Sequence, residues 1–180
     1  MTEYVFGYGS LAARGGWTCE LRGHRRRWGV AMDNSRTIAG YKYYVDAPTG
    51  ERPSVFVAFL DVQAADDGDA VNGVAVPAYP EELASLDRRE RNYTRTDVTD
   101  AVEPRPGPGR VWTYAGSAEA RGRRDRGLDE GSLVVSAEYA ALVAECFTRL
   151  GADEAARYRA STDDPPCPLA DLRRIDLPPA

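Results

Sequence analysis

Two short segments hold residue types able to do chemistry together: the run Phe6-Gly7-Tyr8-Gly9-Ser10-Leu11, and Glu90 within Leu86-Asp87-Arg88-Arg89-Glu90-Arg91-Asn92-Tyr93. In the first, Gly7 and Gly9 permit backbone angles that other residues avoid and Ser10 adds a hydroxyl, so consecutive N–H groups of a tight turn can point at one carboxylate. In the second, a helical rotation of about 100° per residue places Glu90 about 20° from Leu83, on the stripe of Leu86, with Asp87 about 40° away. A carboxylate buried on an apolar stripe is disfavoured in its charged form, which raises its pKa toward the range useful to a general base. Taken alone, Glu90 equally fits an acid paired with a buried arginine or one at the frayed end of the stripe. The glycine turn alone equally fits a strand connection without a ligand. Tyr93 is placed either to touch a substrate or the Glu90 carboxylate or to pack against a sheet, and Tyr8 either to touch a substrate or to pack in the core.

Other chemistries find less in the chain. The glycine run lacks the spacing of a dinucleotide fingerprint and the Gly-Lys-Ser/Thr of a P-loop, so nucleotide binding is not indicated. His24 is the only histidine and has no nucleophile motif beside it, which argues against a Ser-His-Asp or Cys-His machine. Cys19, Cys146 and Cys167 are odd in number, widely spaced and without a CxxC pair, so neither a disulfide framework nor a metal site is expected. The net charge of −5 speaks against a nucleic-acid partner, and Arg25-Arg26-Arg27 reads as a solvated strand end or structural ion-pair site before it reads as a phosphate contact. There is no basic segment followed by an apolar h-region near the start. No apolar stretch approaches the ~18 residues that cross a bilayer. The expectation is a cytoplasmic protein without a membrane partner.

Several elements must bring the turn and the glutamate together. Residues 3–7 read as a strand running into the turn, Thr18 to Met32 as a second with a bulge at Gly23 to Arg27, and Val55 to Val62 and Val71 to Ala78 as two more. Tyr93 to Val102 and Val111 to Tyr114 are strands joined by a turn over Pro104 to Gly109. A helix starts near Pro80, with Glu81 and Glu82 in its first turn, and runs to about Arg91. A second is capped by Ser136, carries Tyr139, Leu142, Val143, Cys146 and Leu150 as a core stripe, and ends at Gly151. Residues 152–160 read as a third, short helix. Ser117 to Gly131 is charged and Gly-rich and reads as a loop or mobile flap. The 180 residues, 43% of them apolar, suit one domain over 1–163 followed by a Pro-rich tail over 164–180. Strands dominate and helices are inserted rather than alternating, which predicts an α+β domain around a small barrel-like sheet.

The loop Tyr8-Gly9-Ser10-Leu11, the segment Leu86-Asp87-x-x-Glu90 with Tyr93 beyond it, and the later Trp112-x-Tyr114 strand together resemble the gamma-glutamylcyclotransferase-like family over roughly residues 3–160. Many relatives have Asn after the Tyr-Gly-Ser triplet, whereas Leu11 stands here, as in some bacterial members. The resemblance implies a small mixed β-barrel-like sheet with flanking helices, no metal or other cofactor, and a lyase or transferase that releases 5-oxoproline from γ-glutamyl compounds, as in glutathione metabolism. It implies Glu90 as general acid/base and Tyr8, Gly9, Ser10, Leu11 and Tyr93 as substrate-binding. Two other readings use the same fold: a small-molecule binding module without turnover, and a tailoring enzyme removing a γ-glutamyl cap from a specialised metabolite. The identity of the leaving amine is left to Asp33 to Lys42, Ser117 to Gly131 and the segment after Pro165. None of these carries a readable code, and oligomeric state is equally silent.

Overall fold

The computed structural model describes residues 2–178, so Met1 and the last two residues of the expected tail lie outside it. Its central strand is β1 (Glu3–Gly7), in which Tyr4 and Phe6 face the main core while Val5 packs on the other side with Leu83 and Leu86. Burial on both faces is what an apolar, β-prone Tyr-Val-Phe run requires. β1 pairs antiparallel with β6 (Ala70–Ala78) and parallel with β9 (Val111–Gly116). With β2 (Trp17–Arg22), β7 (Tyr93–Asp97) and β8 (Val102–Glu103) they form a six-stranded sheet ordered β7-β9-β1-β6-β2-β8. A second sheet holds β11 (Leu169–Ala170), β10 (Leu133–Ser136), β5 (Phe56–Ala64) and β3 (His24–Asp33), in that order. A third is the antiparallel pair β4 (Lys42–Asp46) and β12 (Leu172–Asp176). Four helices, α1 (Pro80–Arg89), α2 (Ala118–Asp129), α3 (Ala137–Leu150) and α4 (Ala152–Ala160), flank the strands. The architecture is the expected α+β one, with a curled, half-barrel sheet and mixed strand directions.

α1 begins at Pro80, where the Tyr79 N–H donates to the Glu82 carboxylate at 2.9 Å, and Leu83 and Leu86 bury its inner face. It stops at Arg89, two residues before the sequence expectation, and Glu90 is the residue just beyond. α3 is capped by Ser136, whose hydroxyl accepts the Tyr139 N–H at 3.3 Å, and it closes at Gly151 as expected. The strand expected over Thr18 to Met32 is two strands, because Gly23 turns at φ +67° and sends β2 and β3 into different sheets. The bulge falls between Arg27 and Val30, not at Gly23 to Arg27.

Ser117 to Gly131 is not a loop or flap. Ser117 caps α2 by accepting the Ala120 N–H at 3.2 Å, and three arginines fasten the helix to the strands beneath. Arg121 Nε reaches the buried Asp61 at 2.9 Å, Arg123 Nε reaches the Ala31 carbonyl at 2.8 Å, and Arg124 Nε reaches the Trp28 carbonyl at 3.1 Å. The segment read as a tail supplies β11 and β12, which pair with β10 and β4. Among the described residues no helix is long and apolar enough to cross a membrane.

Candidate active site

The chain leaving β1 turns at Tyr8 and Gly9 into a 3-10 turn, Ser10–Arg14, in which the Ala12 N–H donates to the Gly9 carbonyl at 2.9 Å. The Ser10 and Leu11 amides at its start have no partner within that turn. Neither Gly7 nor Gly9 has a positive φ, so the expectation of unusual backbone angles gives way, for Gly7, to one of space. A Cβ on Gly7 would stand 2.9 Å from Leu11 Cβ.

Two groups hold the turn from behind. The Tyr8 hydroxyl donates to the Tyr114 carbonyl at 2.6 Å, and Arg26 Nε donates to the Tyr8 carbonyl at 2.7 Å. Arg26 is fully buried, with its guanidinium carbon 4.8 Å from the Phe147 ring centroid and 4.7 Å from that of Tyr158. Its remaining donors reach the Asn72 carbonyl at 2.5 Å, Ser161 Oγ at 3.0 Å and Thr162 Oγ1 at 2.8 Å. Burial lowers its pKa to about 10, leaving it charged at neutral pH. Arg25 and Arg27 pair with Asp163, and Arg25 also with Asp69, so the arginine triplet is structural.

Glu90 caps the C-terminus of α1. Its N–H donates to the Leu86 carbonyl at 2.8 Å, and its own carbonyl accepts the Tyr93 N–H at 3.0 Å, turning the chain into β7. Asp87 ties this end to the turn: it accepts the Tyr114 hydroxyl at 2.8 Å, in the strand whose carbonyl receives Tyr8. The Glu90 side chain retains 25% exposure, and its Oε1 accepts from Arg89 at 2.7 and 3.0 Å. It stands at the end of the apolar stripe, in contact with a cavity rather than sealed in the core. The Arg89 side chain is half exposed, and an ion pair so placed contributes little.

The glutamate and the turn share a cavity. An inner cleft of about 60 Å³ is lined by Gly7 to Leu11, Leu60, Glu90, Tyr93, Tyr114 and Tyr139. An outer cavity of about 290 Å³ shares Ser10, Leu11, Glu90, Tyr93 and Tyr139 with it and adds Tyr41, Lys42 and Arg174, among others. Glu90 is the one carboxylate among the inner cleft's lining residues. The phenols around it are protonated at neutral pH. Burial, with smaller contributions from neighbouring charges that include Glu90, pushes Tyr8, Tyr93 and Tyr139 far up and Tyr41 to about 12. Burial also lowers Lys42 to about 8, assisted by Arg174 and opposed by Glu90.

All six residues singled out in the sequence line the inner cleft. The hydroxyl protons of Tyr8 and Tyr93 are committed to the carbonyls of Tyr114 and Leu60, the latter at 2.8 Å. Tyr139, read as a core-stripe residue, stands edge-on to Phe59 and Trp28 and also lines both cavities. Tyr41, Lys42 and Arg174 fall within segments expected to meet a leaving group, but the sequence does not single them out individually. β4 is too short to show a period, and Arg174 arrives only because β12 pairs with β4. Of the three segments expected to meet a leaving group, α2 is absent from the outer cavity's lining, whereas Gly40 to Lys42 and Arg174, Asp176 and Leu177 contribute to it.

No family model matches the sequence, and no curated protein matches it significantly. Solved structures do. A gamma-glutamyl cyclotransferase superposes with a TM-score of 0.51 at 13% identity, over 95% of each chain. A human protein described as uncharacterized, from a crystal structure treated by ensemble refinement, gives 0.50 at 14% identity over 94% of each. At such identity the likeness is one of fold: this chain has the fold seen in the gamma-glutamyl cyclotransferase.

Proposed function

We propose that this protein cyclises a γ-glutamyl group to 5-oxoproline and frees the attached amine, with Glu90 as general acid/base. The observation that carries the reading is that Glu90 and the Gly9 to Leu11 turn, some eighty positions apart, line one cleft. The turn's amides hold the substrate's α-carboxylate and fix a folded conformer. Glu90 takes a proton from the α-ammonium, and the amine nitrogen attacks the γ-carbonyl carbon. As the bond from that carbon to the departing nitrogen breaks, Glu90 returns the proton to it, and the second proton that the ring nitrogen sheds on becoming an amide passes through the freed carboxylate to the released amine, which leaves as an ammonium. The chain's own residues suffice for these steps.

Incubation with γ-glutamyl dipeptides, glutathione and γ-glutamylamines, while following 5-oxoproline, tests the reading. Glu90→Gln, isosteric but unable to accept the proton, is expected to slow release at least about 10²-fold with an unchanged circular dichroism spectrum. Equal rates in wild type and variant would remove Glu90 from the chemistry. Tight binding of γ-glutamyl compounds without any product would assign the fold to a binding module instead.

A further inference from the structure

The outer cavity is charged against the trend of the molecule. Arg14, Lys42, Arg89, Arg91 and Arg174 line it against Glu90 and Asp176, a surplus of three positive charges in a chain of net −5. Two of the five are matched locally, Arg89 by Glu90 at 2.7 Å and Arg174 by Asp176 at 2.5 and 2.9 Å. Arg91 leans on the Tyr41 ring and the Ala39 carbonyl. Lys42 is different. Its stem lies in β4 at the cavity wall, and its Nζ sits 4.2 Å from the Phe59 ring centroid and 5.6 Å from that of Tyr41. Among the described residues it has neither a salt bridge nor a hydrogen bond. The two carboxylates of the same lining, Asp176 opposite it in register and Glu90, are already paired with Arg174 and Arg89, so this partly buried ammonium over aromatic faces is a cation free to take a further anion. The inner cleft, by contrast, carries no cation in its lining and leaves the glutamyl end to the turn and Glu90.

Building on the cyclotransferase reading, we infer that Lys42 anchors a carboxylate on the departing half of the substrate, so that the released amine is an amino acid or peptide rather than a polyamine or amino sugar. Arg14 and Arg91 add long-range attraction from the same lining, while β12, paired with β4 so that Asp176 stands opposite Lys42, carries Arg174 into the neighbouring part of the wall. A cationic leaving group would meet the surplus of like charge and be rejected by it.

The test is a matched pair, γ-glutamyl-alanine and γ-glutamyl-alaninamide, which differ only in the charge of the departing half. Wild type is expected to favour the carboxylate about 10-fold or more in kcat/KM, through KM, and added salt should shrink the ratio. Lys42→Met, which keeps the apolar stem, should collapse that ratio, and Lys42→Arg should restore part of it. Binding of the same pair to Glu90→Gln and to its double variant with Lys42→Met, by calorimetry, reads the anchor without turnover. Carboxylate discrimination that depends on Lys42 in the absence of any 5-oxoproline would keep this inference and discard the catalytic reading. Turnover of both substrates at equal efficiency would keep catalysis and overturn the anchor. Equal losses on both substrates in Lys42→Met would place Lys42 at the glutamyl end, and no binding of either ligand would overturn both readings.

Discussion

A single guanidinium illustrates how far the candidate site reaches into the interior. Among the described residues Arg26 hydrogen-bonds to no carboxylate; its donors go to backbone carbonyls and neutral side chains, and one of those carbonyls belongs to the turn at Tyr8. Removing it relieves a desolvated charge but orphans several buried acceptors, each costing about 1–3 kcal/mol when left unpaired. Arg26→Met is expected to lower the unfolding free energy by about 3 kcal/mol, read as a shift of the urea midpoint. Its surviving folded fraction should show a raised KM, because the turn loses the group that holds its first carbonyl. An unshifted midpoint would show that the charge penalty and the orphaned acceptors cancel. From the sequence the arginine triplet is legible as structural, but that its middle member supports the turn is not, since the partners lie at Tyr8, Asn72 and Ser161.

The helices divide by how local their causes are. α1 and α3 are readable because cap, first-turn charges and apolar stripe all lie within the element, at Pro80 with Glu82 and at Ser136 with Val143 and Phe147. α2 is unreadable for the opposite reason. Its two glycines and its charges disfavour an isolated helix, and what holds it are arginine contacts to Asp61, Ala31 and Trp28, distant in the chain. The two glycines supply a test. Nothing lies within 4 Å of a Cβ placed on Gly122, whereas one on Gly127 would stand 2.9 Å from Phe56 Cβ. Gly122→Ala should therefore raise stability by about 0.5–1 kcal/mol, and Gly127→Ala should lower it by about 1–3 kcal/mol, in thermal or urea melts. Two neutral results would return this segment to the status of a flap. β4 and β12 form a similar case: each is short and half exposed, and only their mutual pairing makes them strands.

Across the whole molecule, the cavity's cationic wall carries a stability penalty with a defined pH window. Lys42 has a folded pKa of about 8 against an ordinary 10.5, so below about pH 8 the folded state carries a charge it would sooner lose. As pH rises from 8 toward 10.5 the folded protein gives up that proton before the unfolded chain does, and stability rises. The groups that set the shift, after burial, are Arg174 and Arg89, which lower it, and Glu90 and Asp176, which raise it. Lys42→Met should accordingly be more stable than wild type at pH 7, on the order of 1 kcal/mol, with the difference closing toward pH 10. Comparing the two proteins at each pH cancels the buried tyrosines, whose raised pKa values make both lose stability above pH 10. A difference that stays constant with pH would mean Lys42 is not penalised as its surroundings imply. The same cavity takes wall residues from Ser10 at one extreme to Leu177 at the other, and β1 lies beside β9, a hundred residues later. A ribosome must therefore translate past Leu177 before any of these chains has a complete pocket. Nascent polypeptides still being synthesised lack the wall that β12 supplies, and ones terminated before it would present at most the inner cleft.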